Sequence, residues 1–378
     1  MYDLIGHIDN SPFLVCISIF VGTLSLQLYY VLFIFRKLAL FRPSIKDKNV
    51  EIPISIIIAS RNGGEELLKN LAVILNQEYS NYEVIVVNNN SVDNSSKILA
   101  DFESKYPHLK VIELGNGKHL RPGKKLPLTV GIKGAKNEHL LFTDVDCIPN
   151  SNQWVKQMAQ SFSTNKEIVL GYGPYHKREG IINKIIRFDC AWIAINYFSF
   201  ALHKIPYMGV GRNLAYTKTA FYSVDGYKSH CSLSSGDDDL FVQEAANKSN
   251  LEIQIDPQSY CFSEAKINWT DWIYQKSRHY TTAPKYSFIK KLLLAIYPIS
   301  LISAWICFVS LMIIAKHICL CILLMSTFYA VKWWIQGRCL LKLKEKRFAV
   351  FFPFWDLFYA LLIPMVYVLA INKQNYKW

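Results

Sequence analysis

Apolar positions follow different rhythms along the chain. Residues 13–35 and 292–315 contain no charged side chain, and each is long enough to cross a hydrocarbon core of about 30 Å as a helix. Residues 318–335 and 351–371 are less clean candidates of the same kind, the first being short and the second holding Asp356. Between them the rhythm changes. "IPISIIIASRN" (52–62) is a short isoleucine-rich run ending in polar residues, the pattern of a strand buried on both faces. Residues 63–77 switch to helical spacing, with Leu67, Leu71 and Ile74 or Leu75 on one face. "YEVIVVNNNSVDNSS" (82–96) predicts a second strand, "SKILADFESKY" a helix and "LKVIEL" (109–114) a third strand. "GKKLPLTVGIKGA" (123–135) predicts a loop and helix despite its proline, and "EHLLFTDVD" (138–146) a fourth strand.

Strands and helices alternating at this spacing predict an α/β domain with a mainly parallel sheet. Ligands bind at the carboxyl ends of such strands, where "SRN", "NNNSVD" and "DVD" all fall. The chain therefore divides into an N-terminal transmembrane anchor (1–40), an α/β domain (50–285) and about three C-terminal transmembrane helices (290–378). Residues 181–207 are apolar with sparse charges. They fit a core element or, better in this chain, an interfacial amphipathic segment that delivers a lipid-bearing acceptor.

Composition adds orientation. Hydrophobic residues make up 51% of the chain, more than a soluble globule needs. The first apolar segment is too long, and lacks the basic leader and cleavage site, for a signal peptide. Arg36, Lys37, Arg42, Lys46 and Lys48 follow it, and "QGRCLLKLKEKR" (336–347) is a second basic patch. Four spans place both patches on one side, which the positive-inside rule makes cytoplasmic. The expectation is a multi-pass protein of the inner (plasma) membrane with a cytoplasmic α/β domain. A net charge of +13 suits contact with anionic membrane lipids. Nucleic acid is not an expected partner, because the basic residues cluster at membrane edges. Nine cysteines without a C-x-x-C pair suggest neither a zinc site nor a disulfide frame.

Candidate chemistry sits at the strand exits. Residues i and i+2 share a strand face, so Asp144 and Asp146 can converge on one hard cation that keeps positions open for phosphate oxygens and water. A solvated turn with Asn150 or Ser151 capping the next helix fits the same letters. "SGDDDLFVQEA" (235–245) brings three aspartates to a helix start, where negative charge suits the dipole and crowding can raise one carboxyl into the range of a general base. "WTDWIYQKSRHY" (269–280) sets Gln275, Arg278 and His279 on a tryptophan-rich helix. Arginine forks hold phosphate and aromatic rings wall a sugar or an acyl chain; a membrane-edge aromatic belt with snorkelling cations reads similarly. Lys124 or Lys125 meets phosphate from its loop, or is simply solvated.

In this order the segments resemble glycosyltransferase family 2, the inverting GT-A enzymes that use nucleotide sugars, over roughly residues 52–285. "SIIIASRN" resembles the first strand, "EVIVVNNNSVD" the nucleoside-binding strand end, "FTDVDCIP" the D-x-D, "GVGRNLAYTKTAF" with "DGY" the acceptor-side segment, "SGDDDLF" the base motif and "QKSRH" the Q-x-x-R-W of membrane synthases. The resemblance implies a GT-A-like, Rossmann-like domain between transmembrane helices. It implies that Asp144 and Asp146 contact the nucleotide and a divalent cation, Mg²⁺ or Mn²⁺, with Ser60, Asn62 and Asn89 at the donor's strand ends. Asp238 would be the base, beside Asp237. Lys124 and Arg278 would hold the diphosphate, and Gln275 and His279 would lie toward the acceptor. Asn89 stands where the family usually has an aspartate, so it offers the nucleoside base a carbonyl oxygen without the charge. His279 replaces the tryptophan of the synthase motif, which speaks against processive polymerisation. The implied activity is transfer of a sugar from a nucleoside-diphosphate donor, a UDP-sugar foremost, to a lipid-linked or glycan acceptor in cell-envelope glycan synthesis. A processive polysaccharide synthase and a non-catalytic membrane scaffold with a retained fold are the alternatives.

Overall fold

The computed structural model describes residues 11–43, 51–115 and 123–371. They form two compact units, one built on the N-terminal helix with Ser287–Val366 and the other on Arg42–Tyr286.

The second unit is organised by strands β1 (Ile54–Ser60), β2 (Tyr82–Asn89), β3 (Leu109–Leu114), β4 (His139–Asp144), β5 (Cys147–Pro149), β6 (Ile168–Leu170), β7 (Leu214–Thr217), β8 (Leu251–Ile253) and β9 (Cys261–Ser263). Seven of them make one sheet in the order β3-β2-β1-β4-β7-β6-β8, and β5 pairs with β9 apart from it. The β1–β2, β2–β3, β1–β4 and β6–β8 pairs are parallel, while β7 runs antiparallel to β4 and β6. The sheet is thus mainly parallel, as the alternation of strand and helix predicts. All seven side chains of β1 are buried, the result of covering a parallel strand on both faces. Leu67, Leu71 and Ile74 of helix Gly64–Leu75 pack with Ile56, Val86 and Trp154 in one core. Pro127 is tolerated because it lies in the first turn of helix Lys125–Gly134, where the missing N–H has no intrahelical partner to lose.

The apolar stretch beginning at residue 181 corrects the interfacial reading. It is one helix, Ile181–Leu202, with 14 side chains buried around its whole circumference. Burial on every side, Asn183 and Asp189 included, makes it a core element.

The first unit is helical. A helix from Ser11 continues through a π-helical segment, Tyr30–Phe35, to Leu40. Helices Phe288–Ile314, Ile318–Lys342 and Phe352–Ile371 complete the set. These four, like Ile181–Leu202, are long and apolar enough to cross a membrane. Their central windows are only 28–33% buried, against 72% for Ile181–Leu202. Lys332 and Asp356 form a buried ion pair at 2.6 Å, so the charge that interrupts the last apolar segment is partnered. The Lys342 ammonium donates to the carbonyl of Phe41, which ties the end of the first helix to the second basic patch; Lys46 and Lys48 of the first patch lie outside the described residues.

Candidate active site

Strands β1, β2 and β4 run parallel and in register, with Ser60 opposite Asn88 and Ala59 opposite Asp144, so their carboxyl ends open on one edge. Asn62, in a left-handed conformation at φ 50°, braces two of these loops. Its carboxamide oxygen accepts from Val92 N–H, and its own N–H donates to Ser91 Oγ. Asn89 ends β2 half-buried. Ser60 ends β1 with its side chain buried, and its hydroxyl lies 2.9 Å from where a Cβ on Gly63 would stand.

The remaining expected residues converge. Lys124, Asp144, Asp237, Asp238, Gln275, Arg278 and His279 line one small polar cavity. Lys124 Nζ sits 2.6 Å from Asp144 Oδ1. Burial opposes ionisation of Asp144, yet Lys124 and the more distant Arg212 and Arg278 outweigh it and hold its pKa below the usual value. Asp146 is exposed and receives a hydrogen bond from Ser263 Oγ, because β5–β9 pairing sets Cys147 opposite Ser263.

Ligand atoms of Asp144, Asp146 and Cys147 lie within 4.8 Å of one another. The Cys147 side chain is part of the hydrophobic core, which leaves the two carboxylates as the donor set. Two hard oxygen donors at an open edge fit Mg²⁺ or Mn²⁺, which keep several positions for water and phosphate oxygens.

The acidic cluster is held by a device that the sequence did not disclose. Lys125, also on the flagged "GKK" segment, is buried and donates from its ammonium to the carbonyls of His230, Leu233 and Ser235 at 2.6, 3.0 and 2.6 Å. This clasp fixes the loop immediately before Asp237. Lys125→Met strips three carbonyls of their donor and is expected to destabilise the protein by about 3 kcal/mol. The check is thermal unfolding of the detergent-solubilised full chain; Lys125→Arg should recover only part, since a planar guanidinium is poorly shaped for three converging carbonyls.

Asp238 Oδ2 accepts from Gly211 N–H at 2.9 Å and its Oδ1 from Asp239 N–H at 2.8 Å. Burial, then the adjacent Asp237 and Asp239 charges, push its pKa up to about 7 against those two hydrogen bonds. Asp239 plays a different part. It accepts from Thr282 Oγ1 and Tyr286 OH at 2.5 and 2.8 Å, tying the helix start to the segment after Tyr280. Gly211 is itself positioned by its neighbour Asn213, whose amide nitrogen donates to the carbonyls of Tyr172 and Ser259 and whose oxygen accepts from Trp154 Nε1.

Helix Trp269–Tyr280 is capped by Asn268, which accepts from Asp271 N–H at 2.9 Å, and presents Gln275, Arg278 and His279 on one flank. Enclosure by the cavity wall and the nearby cations Arg278, Lys276, Arg212 and Lys124 lower the His279 pKa well below its ordinary value, so the imidazole is neutral. Gln275 donates to Tyr175 OH, and Tyr175 also receives Arg212. Arg212, inside the "GVGRN" segment, lines both this cavity and its neighbour, a role that its residue type alone does not signal in the sequence.

A second cavity, of about 230 Å³, adjoins the polar one. Val210, Arg212, Asp238, Gln275 and His279 line both. Asp238 therefore stands on the wall that the two cavities share.

Residues 55–212 match the model of Glycosyl transferase family 2. The poly-beta-1,6-N-acetyl-D-glucosamine synthase of Staphylococcus epidermidis is 28% identical over 142 residues, which are 37% of this chain and 33% of that protein. Glycosyltransferase GlyG of Streptococcus pneumoniae is 29% identical over 128 residues, 34% of this chain and 41% of that one. The chain thus spans only a third to two fifths of the length of these curated relatives. Among solved structures, the mannosyltransferase PcManGT from Pyrobaculum calidifontis in complex with GDP-Man and Mn²⁺ superposes with a TM-score of 0.54 at 16% identity, covering 87% of this chain and 98% of that one. This is a likeness of fold, and the α/β unit has the GT-A architecture.

Proposed function

We propose, from the premise that the chain carries a glycosyl transferase family 2 domain, that it is an inverting glycosyltransferase of a cell-envelope glycan pathway. It moves a sugar from a nucleoside-diphosphate donor, a UDP-sugar foremost, to a hydroxyl of a lipid-linked or glycan acceptor at the plasma membrane. The observation that carries this reading is Asp238, a carboxyl group with its pKa raised to about 7 on the wall shared by two cavities. A base whose pKa lies near the working pH is best placed for proton transfer.

In the reaction, Asp238 takes the proton of the acceptor hydroxyl as that oxygen bonds to the anomeric carbon. The bond from carbon to the diphosphate breaks on the opposite face, and the configuration inverts. Lys124 and Arg278, on the wall of the polar cavity, take up the charge of the leaving diphosphate. Lys124 is engaged with Asp144, so it turns from a carboxylate to a phosphate oxygen as the donor arrives. Asp144 and Asp146 would hold Mg²⁺ or Mn²⁺, which when bound neutralises diphosphate oxygens. The lysines and arginines that follow the first apolar segment and fill residues 336–347 support a cytoplasmic α/β unit.

The test is a screen of nucleotide sugars for release of nucleoside diphosphate by the full chain in detergent, with membrane lipid extract as acceptor. Metal removal with excess chelator, and separately Asp146→Ala, are each expected to reduce release at least about a hundredfold; added Mg²⁺ or Mn²⁺ restores only the wild type. Full turnover after exhaustive chelation would remove the metal from the reading. A long polymer made from one nucleotide sugar would select a processive synthase.

A further inference from the structure

The larger cavity beside Asp238 has a chemical character of its own. Its walls are aromatic, with Tyr172, Tyr197, Tyr207, Trp272 and Tyr286 among them. Set into these walls are two charged side chains, Asp189 from helix Ile181–Leu202 and Lys276 from helix Trp269–Tyr280. Lys276 Nζ lies 2.6 Å from Asp189 Oδ1 and 2.5 Å from Oδ2, and both side chains are nine-tenths or more buried.

We propose that this cavity takes a single polyhydroxylated ring of the acceptor, and that the Asp189–Lys276 pair reads two neighbouring hydroxyls of that ring while a third faces Asp238. The inference rests on the proposed transfer reaction and names the acceptor's reacting end. Size is the first argument. At about 230 Å³ the cavity lies just below the roughly 300–1,000 Å³ of sites for drug-sized ligands, which is room for one ring. Charge is the second. A buried ion pair amid aromatic side chains is generally no more stabilising than apolar residues of the same volume, and an acyl chain would leave it facing hydrocarbon. A sugar ring suits both parts of the wall. Its C–H faces pack on aromatic rings, and adjacent hydroxyls donate to a carboxylate and accept from an ammonium. Location is the third, since Asp238 borders this cavity and the polar one together.

The experiment uses the full chain in detergent, the donor found by the screen above and membrane lipid extract as acceptor. D-glucose, N-acetyl-D-glucosamine and cyclohexanol are added as competing probes. The hexoses are expected to inhibit competitively against the extract, and cyclohexanol, a ring without neighbouring hydroxyls, to do so at least tenfold more weakly. In the double variant Asp189→Leu with Lys276→Met, the apparent KM for the extract is expected to rise at least tenfold and hexose inhibition to disappear, with donor KM within twofold. Replacing both members removes the ion pair as a unit; should this variant not fold, Asp189→Asn with Lys276→Gln is read in the same way. Unchanged acceptor KM and hexose inhibition in the variant overturn the inference alone, as does cyclohexanol competing as well as the hexoses. Absence of turnover by the wild type with every nucleotide sugar overturns the transfer reaction and takes this inference with it.

Discussion

Asp238→Asn is expected to lower sugar transfer by about 10²- to 10⁴-fold, the usual contribution of a general base. Asparagine keeps the shape, but its single carbonyl oxygen can accept only one of the two hydrogen bonds from Gly211 and Asp239, so thermal unfolding of the variant is measured beside its rate to separate proton removal from a change in the fold. The wild-type rate should rise with pH through a half-maximum near 7, where the carboxyl ionises, and the variant's residual rate should lack that limb. Stability moves in the opposite sense. The folded-state pKa of about 7 lies above the ordinary 3.8, so the folded protein binds the extra proton between those values. The stabilisation this gives is complete below the unfolded pKa and is lost as pH rises through about 7. The variant does not titrate there, so its unfolding midpoint should lack the fall that the wild type shows as pH rises through about 7. A variant that retains the pH limb, or most of its activity, would show that another group takes the proton.

Lys332→Met is expected to destabilise the helical unit by about 3–5 kcal/mol, the range for breaking a buried ion pair from one side. Lys332 is fully buried and Asp356 nearly so. The ammonium donates to Asp356 Oδ2 and Gln27 Oε1 at 2.6 and 3.1 Å, and it lies 4.9 Å from the Tyr297 ring centre. Tyr297 OH donates to Asp356 Oδ1 at 3.2 Å. Gln27 Nε2 donates to the Tyr297 carbonyl and Ser300 Oγ. Four helices are therefore joined through one satisfied network. Removing the lysine leaves a carboxylate among aromatic rings with little beyond Tyr297 to support it, and such a group is costly until it is protonated. Lys332→Met combined with Asp356→Leu should recover most of the loss, and the double-mutant cycle measures the coupling. Thermal unfolding of the purified chain in detergent gives the answer. Single variants that melt with the wild type would mean that the network does not hold the bundle.

The first half of the α/β unit was legible because local rules and the fold agree there. Six-residue β3 was read to the residue, and β1, β2 and β4 to within a few positions, since a run buried on both faces and bounded by polar turns has few other solutions. Helix Ile181–Leu202 was misjudged for a physical reason. Apolarity all round a helix is the same whether protein or lipid covers it, and only the packing distinguishes the two. Whether the last side chain of a strand is exposed or buried depends on the turn that follows, and at Ser60 the close approach of Gly63 buries it.

What the sequence determined by itself was the order of strands and helices, the apolar spans and the identity of the acidic groups, all consequences of periodicity and residue type over short distances. What the tertiary structure decided was which groups face one another. Lys125 clasps carbonyls more than a hundred residues away, Asp189 finds Lys276, and Asp238, beside two carboxyls already adjacent in the sequence, has its pKa raised first of all by the burial that the fold imposes. Charge interactions depend on separation and local dielectric, and neither quantity exists along a chain until it has folded.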